Sequence, residues 1–186
     1  MSHELILGGQ RSGKSHAAEL RAAEWLAVPG REAVLIATAQ AGDTEMLARI
    51  ARHRLDRAAR APGLATDEVP HALPQAIARH SAPHRLVLVD CLTLWLTNLL
   101  MPISGDALTA ATCAAEIEAL DGALQAAPGP VLLVSNEIGL GIAPLSPEAR
   151  RFVDELGRLH QLLARRCDRV TLMVAGIAVP VKREAV

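Results

Sequence analysis

The chain has 186 residues, with 19 Lys and Arg against 20 Asp and Glu. That length fits one domain with a core that needs neither disulfide nor structural metal, and the balanced charge gives no overall field for nucleic acid or an anionic membrane, so a small-molecule partner is expected. Cys91, Cys113 and Cys167 are odd in number and widely spaced, which excludes a disulfide framework or a zinc spacing and suits a reducing compartment.

The first apolar run, Leu5-Ile6-Leu7, reads as a strand and leads directly into Gly8-Gly9-Gln10-Arg11-Ser12-Gly13-Lys14-Ser15, a GxxxxGK[ST] phosphate loop. Gly8 and Gly13 open backbone angles closed to other residues, so several N–H groups can face one polyphosphate while Lys14 reaches its β and γ oxygens. Ser15 offers its hydroxyl to Mg²⁺. The helix expected over Ser15 to Leu26 turns the positive end of its dipole to the phosphates. A nucleoside triphosphate site is therefore expected. The loop begins so near Met1 that cleaving a targeting segment would remove it, which points to the cytoplasm.

A second strand is expected over Ala33 to Thr38, ending in the small, polar Ala37, Thr38, Ala39 and Gln40. These either border the nucleotide or form an ordinary connection. The helix expected over Thr44 to Ala59 sets Arg49, His53, Arg57 and Arg60 at spacings of four, four and three on one side, opposite Leu47, Ile50, Ala51, Leu55 and Ala58. The guanidiniums can hold phosphate oxygens and, by like-charge repulsion, keep the imidazole neutral and nucleophilic. That suits attack on phosphorus. The same residues also describe a solvated basic helix with an incidental histidine.

Leu86 to Asp90 reads as the next strand. Asp90 closes it as an acid closes a Walker B strand, oriented toward Mg²⁺, or else caps the helix expected over Leu92 to Leu100. Residues 86–103 are the most apolar stretch, but Asp90, Asn98 and Pro102 argue against a membrane span. A helix over Thr109 to Ala126 and a strand over Val131 to Ser135 follow. After that strand, Ser135-Asn136-Glu137-Ile138-Gly139-Leu140-Gly141 is either a close-approach substrate loop or a simple turn with Glu137 solvated. A helix over Ser146 to Arg166, a strand over Val170 to Ala175 and an edge strand over Val179 to Lys182 complete the chain. His3, His16, His71, His80, His84 and His160 have less to recommend them.

Continuous apolar strands separated by helices predict a doubly wound α/β domain over residues 1–186, with a mostly parallel sheet covered on both faces. In such sheets ligands bind beyond the carboxyl ends of the strands.

These stretches together resemble the bifunctional adenosylcobinamide kinase and adenosylcobinamide-phosphate guanylyltransferase family of cobalamin biosynthesis, a P-loop NTPase fold. The likeness is carried by Gly8 to Ser15, Ile36 to Gln40, Asp43 to Arg54, Asp90-Cys91-Leu92-Thr93-Leu94-Trp95 through Leu100, Ser135 to Pro144, and Val174-Ala175-Gly176-Ile177. The resemblance implies phosphorylation of the aminopropanol hydroxyl of adenosylcobinamide with ATP or GTP, then transfer of GMP from GTP to adenosylcobinamide phosphate through a histidine-bound intermediate. By the same resemblance His53 is the guanylylated histidine, and Gly8, Gly9, Gln10, Arg11, Ser12, Gly13, Lys14, Ser15, Ala37, Thr38, Ala39, Arg54, Leu55, Asp56, Arg57, Glu68 and Asp90 contact the nucleotide. It further implies a homo-oligomer, a trimer among the known forms. Between His53 and Glu68 the chain is longer than the family's usual segment and lacks its tryptophan. The rival enzyme reading is a small-molecule kinase in which His53 is incidental. A guanine-nucleotide switch is disfavoured, because Asp90 is not followed by a DxxG glycine and Asn136 lacks the lysine and aspartate of an NKxD base reader.

Overall fold

The computed structural model describes residues 3–42 and 44–183, and the side chains of Glu45, Met46, Arg49 and His53 lie outside that description. Among these described residues seven strands, β1 (Glu4–Gly8), β2 (Glu32–Ala37), β3 (Ala65–Glu68), β4 (Arg85–Asp90), β5 (Val131–Val134), β6 (Arg169–Val174) and β7 (Ile177–Lys182), form one sheet in the order β3-β2-β4-β5-β1-β6-β7. Neighbours are parallel except for the β6–β7 hairpin. Among the described residues six helices are interleaved: α1 (Lys14–Leu26), α2 (Thr44–Arg60), α3 (Leu73–His80), α4 (Leu92–Leu100), α5 (Ala110–Ala126) and α6 (Pro147–Arg166).

The strands read as unbroken apolar runs because each feeds two cores. Leu5, Val34, Ile36, Val87, Val89 and Leu133 pack with Trp95, Leu120, Leu156 and Leu159 on one face. Ile6, Ala33, Leu35, Leu86, Leu88, Leu132 and Val134 pack with Ala18, Ala22 and Trp25 on the other. Burying each leucine contributes roughly 1.5–3 kcal/mol, and a one-residue slip would exchange the two sets against helices of different size. Register is thus set from both sides.

Two helix starts carry side-chain caps. Thr109 Oγ1 accepts the Thr112 N–H to cap α5, and Ser146 Oγ accepts the Ala149 N–H to cap α6. Gly13, before α1, is left-handed (φ 97°), and α1, like α3 and α4, begins without a side-chain cap.

Two elements were not anticipated. β3 is polar Ala-Thr-Asp-Glu on the sheet edge, where short charged strands are favoured because they discourage pairing with other chains, and it carries no apolar signal. α3 has eight residues, too few for a clear period, yet it buries Leu73, Ala76 and Ile77. The last strand begins at Ile177, earlier than expected, after a turn with positive φ at Ala175 (51°) and Gly176 (82°), the combination a two-residue hairpin requires. Among the described residues, no helix is long and apolar enough to cross a membrane.

Candidate functional site

The tips of β1, β2, β4 and β5 all lie at one edge of the parallel sheet, so the loops after them converge. At the centre, residues 8–15 curl around their own backbone. Gly8 (φ 154°), Arg11 (φ 57°) and Gly13 (φ 97°) take positive angles, Ser12 N–H donates to the Gly9 carbonyl, and the buried Lys14 ammonium donates to that same carbonyl at 2.6 Å. Successive right- and left-handed residues make a concavity of N–H groups, the geometry that receives phosphate oxygens. A Cβ on Gly8 would lie 2.5 Å from the Met173 carbonyl oxygen, so the strand can pass there only as glycine. The β6–β7 turn braces the loop from behind, with Gly176 N–H donating to the Ser12 carbonyl at 3.0 Å.

Asp90 ends β4, two strands from β1, and stands partly exposed. Thr38 lies beside it: its N–H donates to the Asp90 carbonyl, and its hydroxyl exchanges two hydrogen bonds with Cys91. Buried Asn98 on α4 donates to the carbonyls of Thr38 and Pro70, holding the turns after β2 and β3 together. The polar residue that interrupted an apolar helix is a staple beneath the site. Ser15 and Asp90 offer hard oxygen ligands suited to Mg²⁺, which usually takes one or two protein oxygens with phosphates and water completing its shell. Among the described residues no cluster of three or more His, Cys, Asp or Glu could hold a metal ion.

The basic helix is only in part as expected. Arg60 pairs with buried Glu19 of α1 at 2.7 Å and with Asp56 at 3.7 Å, so its charge is matched. Arg57 is half-buried. Desolvation pushes its pKa down against the opposing pull of Glu19 and Asp90, so its guanidinium senses both α1 and the acid at the end of β4. It donates to Thr66 Oγ1, and Arg54 pairs with Glu68, so α2 leans on β3 across a cleft of about 230 Å³. Leu55, two residues from Arg57 and hence on the far side of the helix, is 75 % exposed, and Leu47 is exposed too. Arg49 lies among the side chains outside the description. So does His53, although its backbone is helical and sits one turn before Arg57 on α2.

The loop after β5 holds a network the sequence had not singled out. Glu137 N–H donates to the Gly8 carbonyl, placing the residue against the phosphate loop. Its Oε1 accepts the Gly139 N–H, and its Oε2 is 3.6 Å from His160 Nδ1. His160 Nε2 is 2.8 Å from Ser135 Oγ, which is 3.1 Å from Thr93 Oγ1. Burial pushes the His160 pKa below its ordinary value, against the opposing pull of Glu137. A signal existed: His160 follows Leu156 and Leu159 and precedes Leu163 on the buried stripe of α6, where an imidazole needs partners.

A profile of the family described as cobinamide kinase / cobinamide phosphate guanyltransferase matches residues 4–181. The bifunctional adenosylcobalamin biosynthesis protein CobP of Pseudomonas aeruginosa is 50 % identical over 181 residues, covering 97 % of this chain and 98 % of that one. The bifunctional adenosylcobalamin biosynthesis protein CobU of Escherichia coli is 40 % identical over 187 residues, 96 % and 98 % of the two chains. Among solved structures, the flagellar accessory protein FlaH of Methanocaldococcus jannaschii is similar in fold, with a TM-score of 0.53 at 10 % identity over 98 % of this chain and 79 % of that one.

Proposed function

Because this chain belongs to the cobinamide kinase / cobinamide phosphate guanyltransferase family, a family of bifunctional enzymes that use nucleotides as substrates, we propose that one phosphate cradle at residues 8–15 and one histidine, His53, serve its two reactions. The whole chain acts as one nucleotide-binding domain in the cytoplasm.

In the first reaction ATP or GTP lies with its β and γ phosphates in the N–H concavity, and Lys14 turns its ammonium to them. The γ-phosphoryl passes to the aminopropanol hydroxyl of adenosylcobinamide. Ser15 and Asp90 would hold Mg²⁺, which would supply charge neutralisation at the phosphates. Arg57, between Glu19 and Asp90, and Ala37 to Ala39, tied down by Thr38 and Asn98, flank the same opening. Arg54, Asp56 and Glu68 approach from the α2–β3 side, whereas Leu55 lies on the far side of α2.

In the second reaction neutral His53 attacks the α-phosphorus of GTP and pyrophosphate leaves. The phosphate oxygen of adenosylcobinamide phosphate then displaces the imidazole, giving the GDP-linked product and restoring the histidine. What supports this best is the helical register that sets position 53 one turn from Arg57, the guanidinium whose pKa responds to Asp90. Exposed Leu47, Leu55, Ile142 and Leu145 suit a homo-oligomer, a trimer in this reading.

The test is incubation with GTP labelled at the α-phosphorus. Label stable in alkali and lost in acid marks a phosphoramidate. It must vanish in His53→Ala while phosphorylation of cobinamide persists. Label retained by that variant would overturn the assignment of His53.

A further inference from the structure

Ser135, His160 and Glu137 stand in the order of a hydrolytic triad, 2.8 Å from Ser135 Oγ to His160 Nε2 and 3.6 Å from His160 Nδ1 to Glu137 Oε2. Exposure runs the wrong way for that chemistry. Ser135 is 0 % exposed, whereas the Glu137 side chain keeps 22 % of its surface. A serine that no substrate reaches is not a nucleophile, so the end of the network open to a ligand is the carboxylate.

The hydrogen bonds can be assigned in one outward direction that satisfies every group. Asn136 N–H donates to Thr93 Oγ1, Thr93 donates to Ser135, and Ser135 donates to His160 Nε2. The imidazole proton then sits on Nδ1 and faces Glu137. Burial favours the same neutral imidazole.

Topology supplies the location. β5 lies between the strand of the phosphate loop and the strand ending in Asp90, with Val134 level with both Ile6 and Asp90. Its loop therefore emerges between Lys14 and Asp90, and Glu137 N–H is bonded to Gly8. A hydroxyl attacking a γ-phosphoryl needs a proton acceptor nearby, and this carboxylate is oriented by the Gly139 N–H, 2.6 Å from its Oε1, with His160 Nδ1 standing 3.6 Å behind Oε2.

We infer that Glu137 is the proton acceptor of the kinase half and His160 its positioning residue. This rests on the nucleotide reading above. As the acceptor oxygen bonds to the γ-phosphorus, its O–H bond breaks and the proton passes to a Glu137 carboxylate oxygen. The bond from the γ-phosphorus to the β–γ bridging oxygen breaks, and its electron pair leaves with the nucleoside diphosphate. The guanylyl half makes no such demand, because its acceptor is an ionised phosphate oxygen with no proton to lose.

The two halves therefore separate in one experiment on the full chain. Glu137→Gln should lower the kinase kcat on cobinamide by roughly 10²–10⁴-fold, the usual range for a lost general base, with both KM values within about threefold. GMP transfer onto supplied cobinamide phosphate should stay within about tenfold of wild type in the same preparation, which also shows that the variant folds. Glu137→Asp should recover part of kcat. His160→Gln, whose amide can both donate to Glu137 and accept from Ser135, should keep more kinase activity than His160→Leu. Unchanged kinase kcat in Glu137→Gln overturns the inference, as does an equal loss of both halves. A kinase rate indifferent to Lys14→Met instead brings down the nucleotide cradle itself, and this inference with it.

Discussion

Thr38 Oγ1 accepts the Cys91 N–H at 2.9 Å and donates to the Cys91 carbonyl at 2.7 Å, so one hydroxyl locks the end of β2 to the residue after Asp90. Thr38 is fully buried and Cys91 nearly so, which leaves no water to replace either bond. Thr38→Val keeps the shape and strands a buried N–H and a buried carbonyl, each costing about 1–3 kcal/mol. We expect a loss of that order in urea unfolding and a raised KM for nucleotide as the turn after β2 loosens. Unfolding midpoints and KM values equal to wild type would show that the lock is incidental.

Gly8 tests the phosphate cradle by sterics alone. Its φ is 154°, and an added Cβ would meet the Met173 carbonyl oxygen at 2.5 Å and Ser12 Oγ at 2.6 Å. The carbonyl belongs to β6, paired with β1 along its length, and cannot withdraw without breaking the ladder. Gly8→Ala should therefore cost more than the ~1 kcal/mol typical of a surface glycine and weaken nucleotide binding at least tenfold by titration calorimetry. Wild-type affinity in a folded Gly8→Ala protein would contradict the close approach.

What could be read from the chain was what is local in it. The phosphate loop, its strand and its helix are contiguous, so one segment carried strand, turn and dipole together, and the doubly wound sheet followed from runs buried on both faces. Partners distant in sequence were invisible. Arg60 looked like one more phosphate ligand until Glu19, 41 residues away, met it from α1, and Ala175-Gly176 was a family mark with no evident purpose until its turn closed behind Ser12. Glu137 was weighed as a solvated acid because nothing in its own loop announces His160. The apolar side of α2 was legible as a side, yet exposed Leu47 and Leu55 show that periodicity names a face without naming what covers it.

The three thiols should be silent in the folded protein. Burial pushes Cys91 and Cys167 up to about 12 and raises Cys113 as well, with Asp90, Asp168 and Glu155 adding to the respective shifts. Since the thiolate is the reactive form, a disulfide reagent at pH 8 should titrate no thiol in native protein and three after denaturation. Fast labelling of any one before unfolding would contradict this burial.

His160 gives stability a pH dependence whose sign can be worked out. Desolvation holds its folded pKa below the ordinary value near 6.5, with Glu137 opposing, so the unfolded chain takes up a proton more readily than the folded one. The stabilisation is complete above about pH 6.5, where both states are neutral, and fades as the pH falls toward the folded pKa. His160→Gln removes the titrating group, so its unfolding free energy should fall less steeply than that of wild type between about pH 6.5 and 5. Apart from Glu137, which faces the imidazole, carboxylates and the other histidines contribute equally to both proteins and cancel in the difference. Parallel curves for the two proteins across that interval would mean that the imidazole is solvated, and the outward-directed network from Thr93 to Glu137 would lose its neutral link.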